Sequence, residues 1–371
     1  MLSHYELPAL KWYQYLGVVD LTENPNSRSR LEGLDLARYL AFVGMVIVNF
    51  KIAMGAEGEQ SLLGLLTSSL EGRAAATFVV LAGLGLGLAA GKRLTQTVGV
   101  TIKRAAFLLV IGLLNMTVFD ADILHYYAFY FLFGVLLLPL TSRWLKPAMV
   151  GKNLAFVTMI LTLNYDAGWN WDDFTYAGFW TPTGFVRNLL FNGWHPVIPW
   201  LGFLLFGVVL SRQALSERRV QWILLMVGCL TIATAQALST YLKSIATSVD
   251  VELVELVSTE PIPPMPLYFL AGVGAACTIV GFCLLVENAL KKVGCLDVLI
   301  PAGRQTLTLY IAHILIGMGT LEAMGLLGGQ TLSQSVLASV TFCAAATVYA
   351  FFWAKAFKRG PIEALMRKLA G

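Results

Sequence analysis

The chain has 371 residues, 57% of them hydrophobic and 13% charged, with a mean hydropathy of +0.71 and a formal net charge of +4. Soluble domains carry about 25% charged residues, so a deficit spread over the whole length excludes an ordinary soluble fold and indicates a polytopic membrane protein. The small positive charge does not imply nucleic acid, and the five cysteines stand singly with no C-x-x-C, as buried small hydrophobes rather than a disulfide framework.

In chain order, residues 1–30 hold Glu6, Asp20 and Glu23 and no signal-peptide pattern. The stretch "LPALKWYQYLGVV" (7–19) is read either as a short aromatic interfacial helix or as a tail. Residues 31–371 then form one membrane domain, an all-α polytopic fold of about ten spans. The spans are 33–53, 74–91, 102–119, 124–141, 148–165, 196–211, 220–240, 265–286, 304–320 and 334–354. Of the 26 Lys and Arg residues, only Lys51, Arg73, Arg187 and Lys243 fall outside when the N-terminus is placed inside, which predicts an N-in, C-in chain. The segment "GWNWDDFTYAGFWTPTGFVRNLLFNGWHP" (168–196) is expected as a partly helical loop at the outer interface. No internal repeat and no obviously broken paired helices are evident, and Gly83, Gly87 and Gly91 permit close packing within the chain or across a homodimer.

Charged side chains inside a bilayer cost about 2.5–3.5 kcal/mol each on insertion scales and therefore face the bundle interior or a cavity. In the first span Asp35, Arg38, Phe42, Met45 and Asn49 share one helical stripe. In the third, Arg104, Leu108, Ile111 and Asn115 align; at the start of the fourth, Asp122 and His125 do. In the ninth, Gly303, Thr306, Tyr310, His313 and Gly317 align, with His313 about 13 Å above Arg304 and near mid-membrane. His125 and His195 sit at the outer mouths of their spans. The bland readings stay open: a lone membrane histidine is as often interhelical glue, the two interfacial histidines suit solvated or loop-capping roles, and Asp35 with Arg38 suits a simple salt bridge. "GLGLGLAAGK" (83–92) lacks phosphate-loop spacing, and no metal-binding spacing is present.

"RLEGLDLARYLAFVGMVIVNF" (30–50) resembles the R-x-x-G-L-D-x-x-R-G-x-A-x-x-G-M-x-x-V-N opening of the transmembrane acyltransferases. That superfamily includes the lysosomal heparan-α-glucosaminide N-acetyltransferase and the bacterial YeiB/DUF418-type proteins. Four blocks follow in the family's order: "EGRAAATFVVLAGLGLGL" (71–88), "DILHYYAFYFLFG" (122–134), "HPVIPWLGFLLFGVVLSR" (195–212) and "AGRQTLTLYIAHIL" (302–315). The ending "KRGPIEALMRKL" (358–369) is similar to the close of the bacterial branch.

The resemblance implies a bacterial inner-membrane enzyme that takes an acyl group, an acetyl group above all, from cytoplasmic acyl-CoA. The group passes to a hydroxyl or amine on an extracytoplasmic sugar or lipid-linked glycan, with no tightly bound cofactor. It implies active-site positions at Asp35 and Asn49, and matches His313 to the histidine of the family's L-x-x-Y-x-x-H block. One departure stands out. The family's loop histidine after the V-N block is missing, because residues 51–73 contain no histidine. Tyr39 also replaces a glycine.

Acyl transfer needs a site for an anionic donor, a base for the acceptor and donors for the developing oxyanion. Arg38, Arg104 and Arg304, with Lys92, Arg93 and Lys103 nearby, are the candidates for the donor's phosphates, and Asp35, Arg73 and Asp122 for other substrate contacts. His313 is the leading base, with His195 and His125 as alternatives, and Asn49 and Tyr310 are the oxyanion donors. The rival expectation is a transporter or flippase, for which a polar intramembrane path serves equally well.

Overall fold

The computed structural model describes residues 31–56, 61–90, 94–250 and 253–371. The N-terminal interfacial helix expected at 7–19 lies outside them, as do Lys92 and Arg93. Helices α1 (Glu32–Ala53), α2 (Leu62–Ser68), α3 (Arg73–Ala90), α4 (Leu94–Asn115), α5 (Leu124–Leu137) and α6 (Ser142–Thr162) come first. A two-stranded antiparallel hairpin, β1 (Trp169–Asn170) and β2 (Thr175–Tyr176), follows. Then come α7 (Pro182–Arg187), α8 (Val197–Leu210), α9 (Arg218–Val249), α10 (Leu253–Leu256), α11 (Pro266–Lys292) and α12 (Cys295–Arg304). The chain ends with α13 (Thr306–Ala312), α14 (Gly319–Ala323), α15 (Leu332–Ala356) and α16 (Pro361–Ala370).

Seven helical stretches among the described residues are long and apolar enough to cross a membrane, or eight if a bent pair counts as one span. The ten expected spans differ in two places. Residues 124–141 shrink to α5, whose 14 residues rise only about 21 Å, short of the ~30 Å hydrocarbon core. Residues 148–165 begin earlier, as α6, and take in Arg143, Lys146, Pro147 and Lys152. The bent pair joins Pro182–Asn192 to Val197–Leu210 at 51°, a broken helix that hydropathy had not exposed. The aromatic segment 168–196, expected as a partly helical loop, forms the hairpin, α7 and a π-helical turn (Asn188–Asn192).

Several helix ends are capped by distant residues. No side chain of its own caps the start of α1; instead the Glu287 carboxylate on α11 accepts from the amides of Glu32 and Gly33, at 3.2 and 3.0 Å. Glu363 on α16 does the same for α13, accepting from the amides of Leu307 and Thr308 at 2.8 and 3.1 Å and from the Thr308 hydroxyl at 2.5 Å. Helix α15 has a full capping box, Thr331 with Gln334.

The core is apolar and closely packed around α3, α8 and α11. Small residues allow this: a Cβ on Gly83 would lie 2.0 Å from the Leu204 carbonyl, and one on Gly87 would lie 2.0 Å from the Ser211 hydroxyl. Two of the three glycines of that stripe are therefore used within the chain, against α8. All five cysteines are free.

Candidate functional site

The polar stripes predicted on separate helices meet inside the bundle. In the first turn of α1, Asp35 is buried and accepts from Arg38 (2.5 Å) and from Arg304 Nε (3.1 Å). Glu32 draws in Lys291 at 2.8 Å and Arg304 at 3.6 Å. Two of the arginines expected to receive an anionic donor are thus engaged by acidic residues of α1. Gly303 makes the cluster possible, because a Cβ there would lie 1.9 Å from the Asp35 carbonyl oxygen.

Arg104 stands apart from these. It donates to the Gly371 carbonyl at 3.4 Å, its Nε is buried without a partner, and it lies within Coulombic reach of Arg367 and Arg359. The packing of α16 against α4 creates this basic group. Nothing in the sequence announces it, since Arg104 and Arg367 are far apart in the chain.

His313 is fully buried and opens a π-helical turn (His313–Met318). Its Nδ1 is hydrogen-bonded to the Tyr310 carbonyl, and its Nε2 lies 3.0 Å from Asn49 Nδ2. A carbonyl only accepts, so Nδ1 carries the proton and Nε2 accepts from the Asn49 amide. Phe42 meets the ring edge-on at 6.3 Å. Both nitrogens are therefore satisfied, the condition of interhelical glue. Tyr39 turns away, with its hydroxyl 2.8 Å from Thr347 on α15.

Tyr310 links this pair to a second cluster. Its ring lies 4.9 Å from that of His313, and its hydroxyl accepts from the Ile123 amide (3.2 Å) and donates to Asp122 Oδ1 (3.4 Å). Asp122 is fully buried and collects four more hydrogen bonds. They come from Asn115 Nδ2 (2.7 Å), the amides of Leu124 (2.8 Å) and His125 (3.2 Å), and His125 Nδ1 (3.3 Å). His125 is also fully buried, yet its Nε2 has no partner. A buried polar atom without a partner costs about 1–3 kcal/mol and asks for an explanation.

Other buried atoms without a partner among the described residues include His195 Nδ1, Trp200 Nε1 and the Tyr127 and Tyr165 hydroxyls. Tyr126 joins the two histidines, its ring 3.9 Å from His125 and 5.8 Å from His195, and its hydroxyl donates to Asn188 Oδ1 at 2.5 Å. Trp200 lies 4.6 Å from His195, ring to ring. Asn188, Tyr126 and Trp200 were not foreseen as site residues. An Asn or an aromatic in an apolar helix carries little signal until its partner is known.

Beside this cluster a cavity of about 300 Å³ opens under the hairpin, lined by Asp120, Trp169, Tyr176, Phe179, Asn188 and Trp194 among others. Phe179 meets His125 edge-on at 5.8 Å, so cavity and histidine share a wall. Partial desolvation holds the Asp120 carboxyl above the usual carboxylate range. Phe174, also on the lining, has φ +56°, a strained position for a non-glycine residue that the surrounding rings hold in place. Arg73 lies elsewhere, on a separate groove. No group of three or more His, Cys, Asp or Glu suited to a metal ion occurs among the described residues.

A family model described as heparan-alpha-glucosaminide N-acetyltransferase, catalytic, matches residues 30–246, more than half of the chain. One described as protein of unknown function (DUF418) matches residues 208–371. The first match contains Asn49, Asp122, His125 and His195; the second contains Tyr310 and His313. No curated protein matches the chain.

Proposed function

From the premise that the chain belongs to the heparan-alpha-glucosaminide N-acetyltransferase catalytic family, a transmembrane acetyltransferase-like group, we propose that it moves an acetyl group from acetyl-CoA to an extracytoplasmic acceptor. The acceptor is a sugar hydroxyl or amine, free or lipid-linked, and the enzyme works in a bacterial inner membrane. The observation that carries this reading is the Asp122–His125 pair: a fully buried carboxylate oriented on Nδ1, with Nε2 left open.

In this mechanism Asp122 holds the His125 Nδ1–H, and Nε2 removes the proton of the acceptor as its oxygen or nitrogen attacks the thioester carbonyl. The tetrahedral intermediate collapses, the C–S bond breaks, and the proton on Nε2 passes to the departing thiolate. The acetylated acceptor and free CoA are the products. Trp200 Nε1–H and the Tyr127 hydroxyl are the buried donors still available for the oxyanion. Tyr310, expected in that role, already serves Asp122 and Ile123. Asn49 Nδ2 likewise serves His313.

The acceptor enters through the aromatic cavity under the hairpin. The donor's phosphates bind at Arg104 with Arg359 and Arg367, since Arg38 and Arg304 already face Asp35. His313 supports the site from beneath Tyr310 rather than acting as the base.

The test is release of free CoA thiol from acetyl-CoA by the full-length protein in proteoliposomes, with and without an amino sugar inside. Acceptor-dependent thiol release supports the reading; no release with any hydroxyl or amine acceptor removes it. One observation favours the transporter alternative, the helix broken at 51° before Val197. Uptake of the amino sugar with no thiol released would establish that alternative.

A further inference from the structure

A second opening, of about 150 Å³, lies between α1, α3, α9 and α11 and shares no lining residue with the aromatic cavity. Its walls are apolar: Leu40, Ala41, Leu70, Ile232, Ala275 and Ile279. The hydroxyls on it are turned back onto their own helices. Thr77 donates to the Arg73 carbonyl at 2.8 Å, Thr278 to the Gly274 carbonyl at 2.9 Å and Ser69 to the Leu66 carbonyl at 2.6 Å.

The exception is Arg73, the first residue of α3, at the end of that helix away from the basic inner face. Its Nη1 donates to the Ser69 carbonyl at 3.0 Å and its Nη2 reaches the Thr259 hydroxyl at 3.5 Å, while Nε is buried without a partner. The neighbouring carboxylates are taken: Glu71 pairs with Lys51 at 2.6 Å and Glu260 with Lys243 at 3.2 Å. Among the described residues no ion pair neutralises the Arg73 guanidinium.

A cation at the rim of an apolar slot, facing a leaflet, is costly unless an anion meets it. The anion that a bilayer supplies at that depth is the lipid phosphate, whose paired oxygens suit the guanidinium fork. We propose that this groove binds a phospholipid of the outer leaflet, with one acyl chain against Leu40, Ile232 and Ile279 and the phosphate on Arg73. The occupant is recognised by two features together, a chain for the slot and a phosphate for the rim. A coenzyme does not fit so small an apolar space, and a free anion gains nothing from the slot.

Delipidated full-length protein in detergent is titrated with phosphatidylglycerol, with diacylglycerol of the same chains and with inorganic phosphate, and bound adducts are read by native mass spectrometry. The wild type retains one phosphatidylglycerol, and diacylglycerol and phosphate bind at least fivefold more weakly. Both Arg73→Gln, which removes the charge, and Ala275→Phe, which fills the slot, lower phosphatidylglycerol retention at least fivefold. The unfolding midpoint of each variant is measured beside it, and if Arg73→Gln does not fold, Ala275→Phe decides. Equal retention by the folded variants overturns the proposal. So does equal binding of diacylglycerol, which would reduce the groove to a chain slot, or of phosphate, which would reduce Arg73 to a general anion site.

Discussion

Replacing Asp122 with asparagine puts an amide where five donors converge. The carboxylate accepts from Asn115, Leu124, His125 twice and Tyr310 at 2.7–3.4 Å. An asparagine keeps one acceptor oxygen and turns an NH₂ toward groups that donate to the carboxylate. If its oxygen stays with the amides of Leu124 and His125, the NH₂ faces Asn115 Nδ2, and a 2.7 Å contact becomes donor against donor. Leaving one buried donor unsatisfied costs about 1–3 kcal/mol, and losing the charge assistance on the remaining bonds adds to it. We expect a loss of about 2–4 kcal/mol in stability. The asparagine oxygen still accepts from His125 Nδ1–H, but without the carboxylate charge it stabilises the imidazolium formed on proton uptake far less, which should lower acyl transfer about 10²- to 10⁴-fold. The assays are the urea midpoint in detergent micelles and thiol release from acetyl-CoA at matched folded fraction. A variant with wild-type midpoint and wild-type turnover would rule out this role for Asp122.

Three other outcomes follow from the same geometry. Gly303→Ala puts a methyl 1.9 Å from the Asp35 carbonyl; it should push α12 off α1 and cost about 1–3 kcal/mol, read as a lowered thermal midpoint. Glu363→Ala strips three hydrogen bonds from the first turn of α13; a loss of about 1–2 kcal/mol should appear with faster hydrogen exchange at Leu307 and Thr308. Asn49→Ala leaves His313 Nε2 buried and unpaired; it should cost about 1–3 kcal/mol in midpoint while leaving thiol release per folded molecule nearly intact.

The membrane architecture and the polar stripes were legible because a 3.6-residue period survives in any sequence that must bury one helix face. Asp35 with Arg38 and Tyr310 with His313 share one stripe each, while Asp122 lies two residues before α5 and meets His125 in its first turn; the structure uses all three pairs. The cross-helix partners were not legible. Asn49 meets His313 across 264 residues, Arg304 meets Asp35 across 269, and Glu363 caps α13 across 55 or 56. The Asn49 contact occupies the His313 nitrogen that the sequence left open, whereas His125 Nε2 has no partner. The hairpin hid for a different reason. Trp, Tyr and Phe dominate residues 168–180 and read as interfacial, while Asn170, Asp172 and Asp173, ordinary turn formers, were the overlooked signal.

In the proposed mechanism His125 is the base and His313 a structural partner. Full-length His125→Gln and His313→Gln, compared with wild type for thiol release from acetyl-CoA in proteoliposomes at matched folded fraction, test this directly. A fall of about 10²- to 10⁴-fold for His125→Gln, with less than about tenfold for His313→Gln, is the predicted result. The reverse order, or undiminished release by His125→Gln, would contradict it.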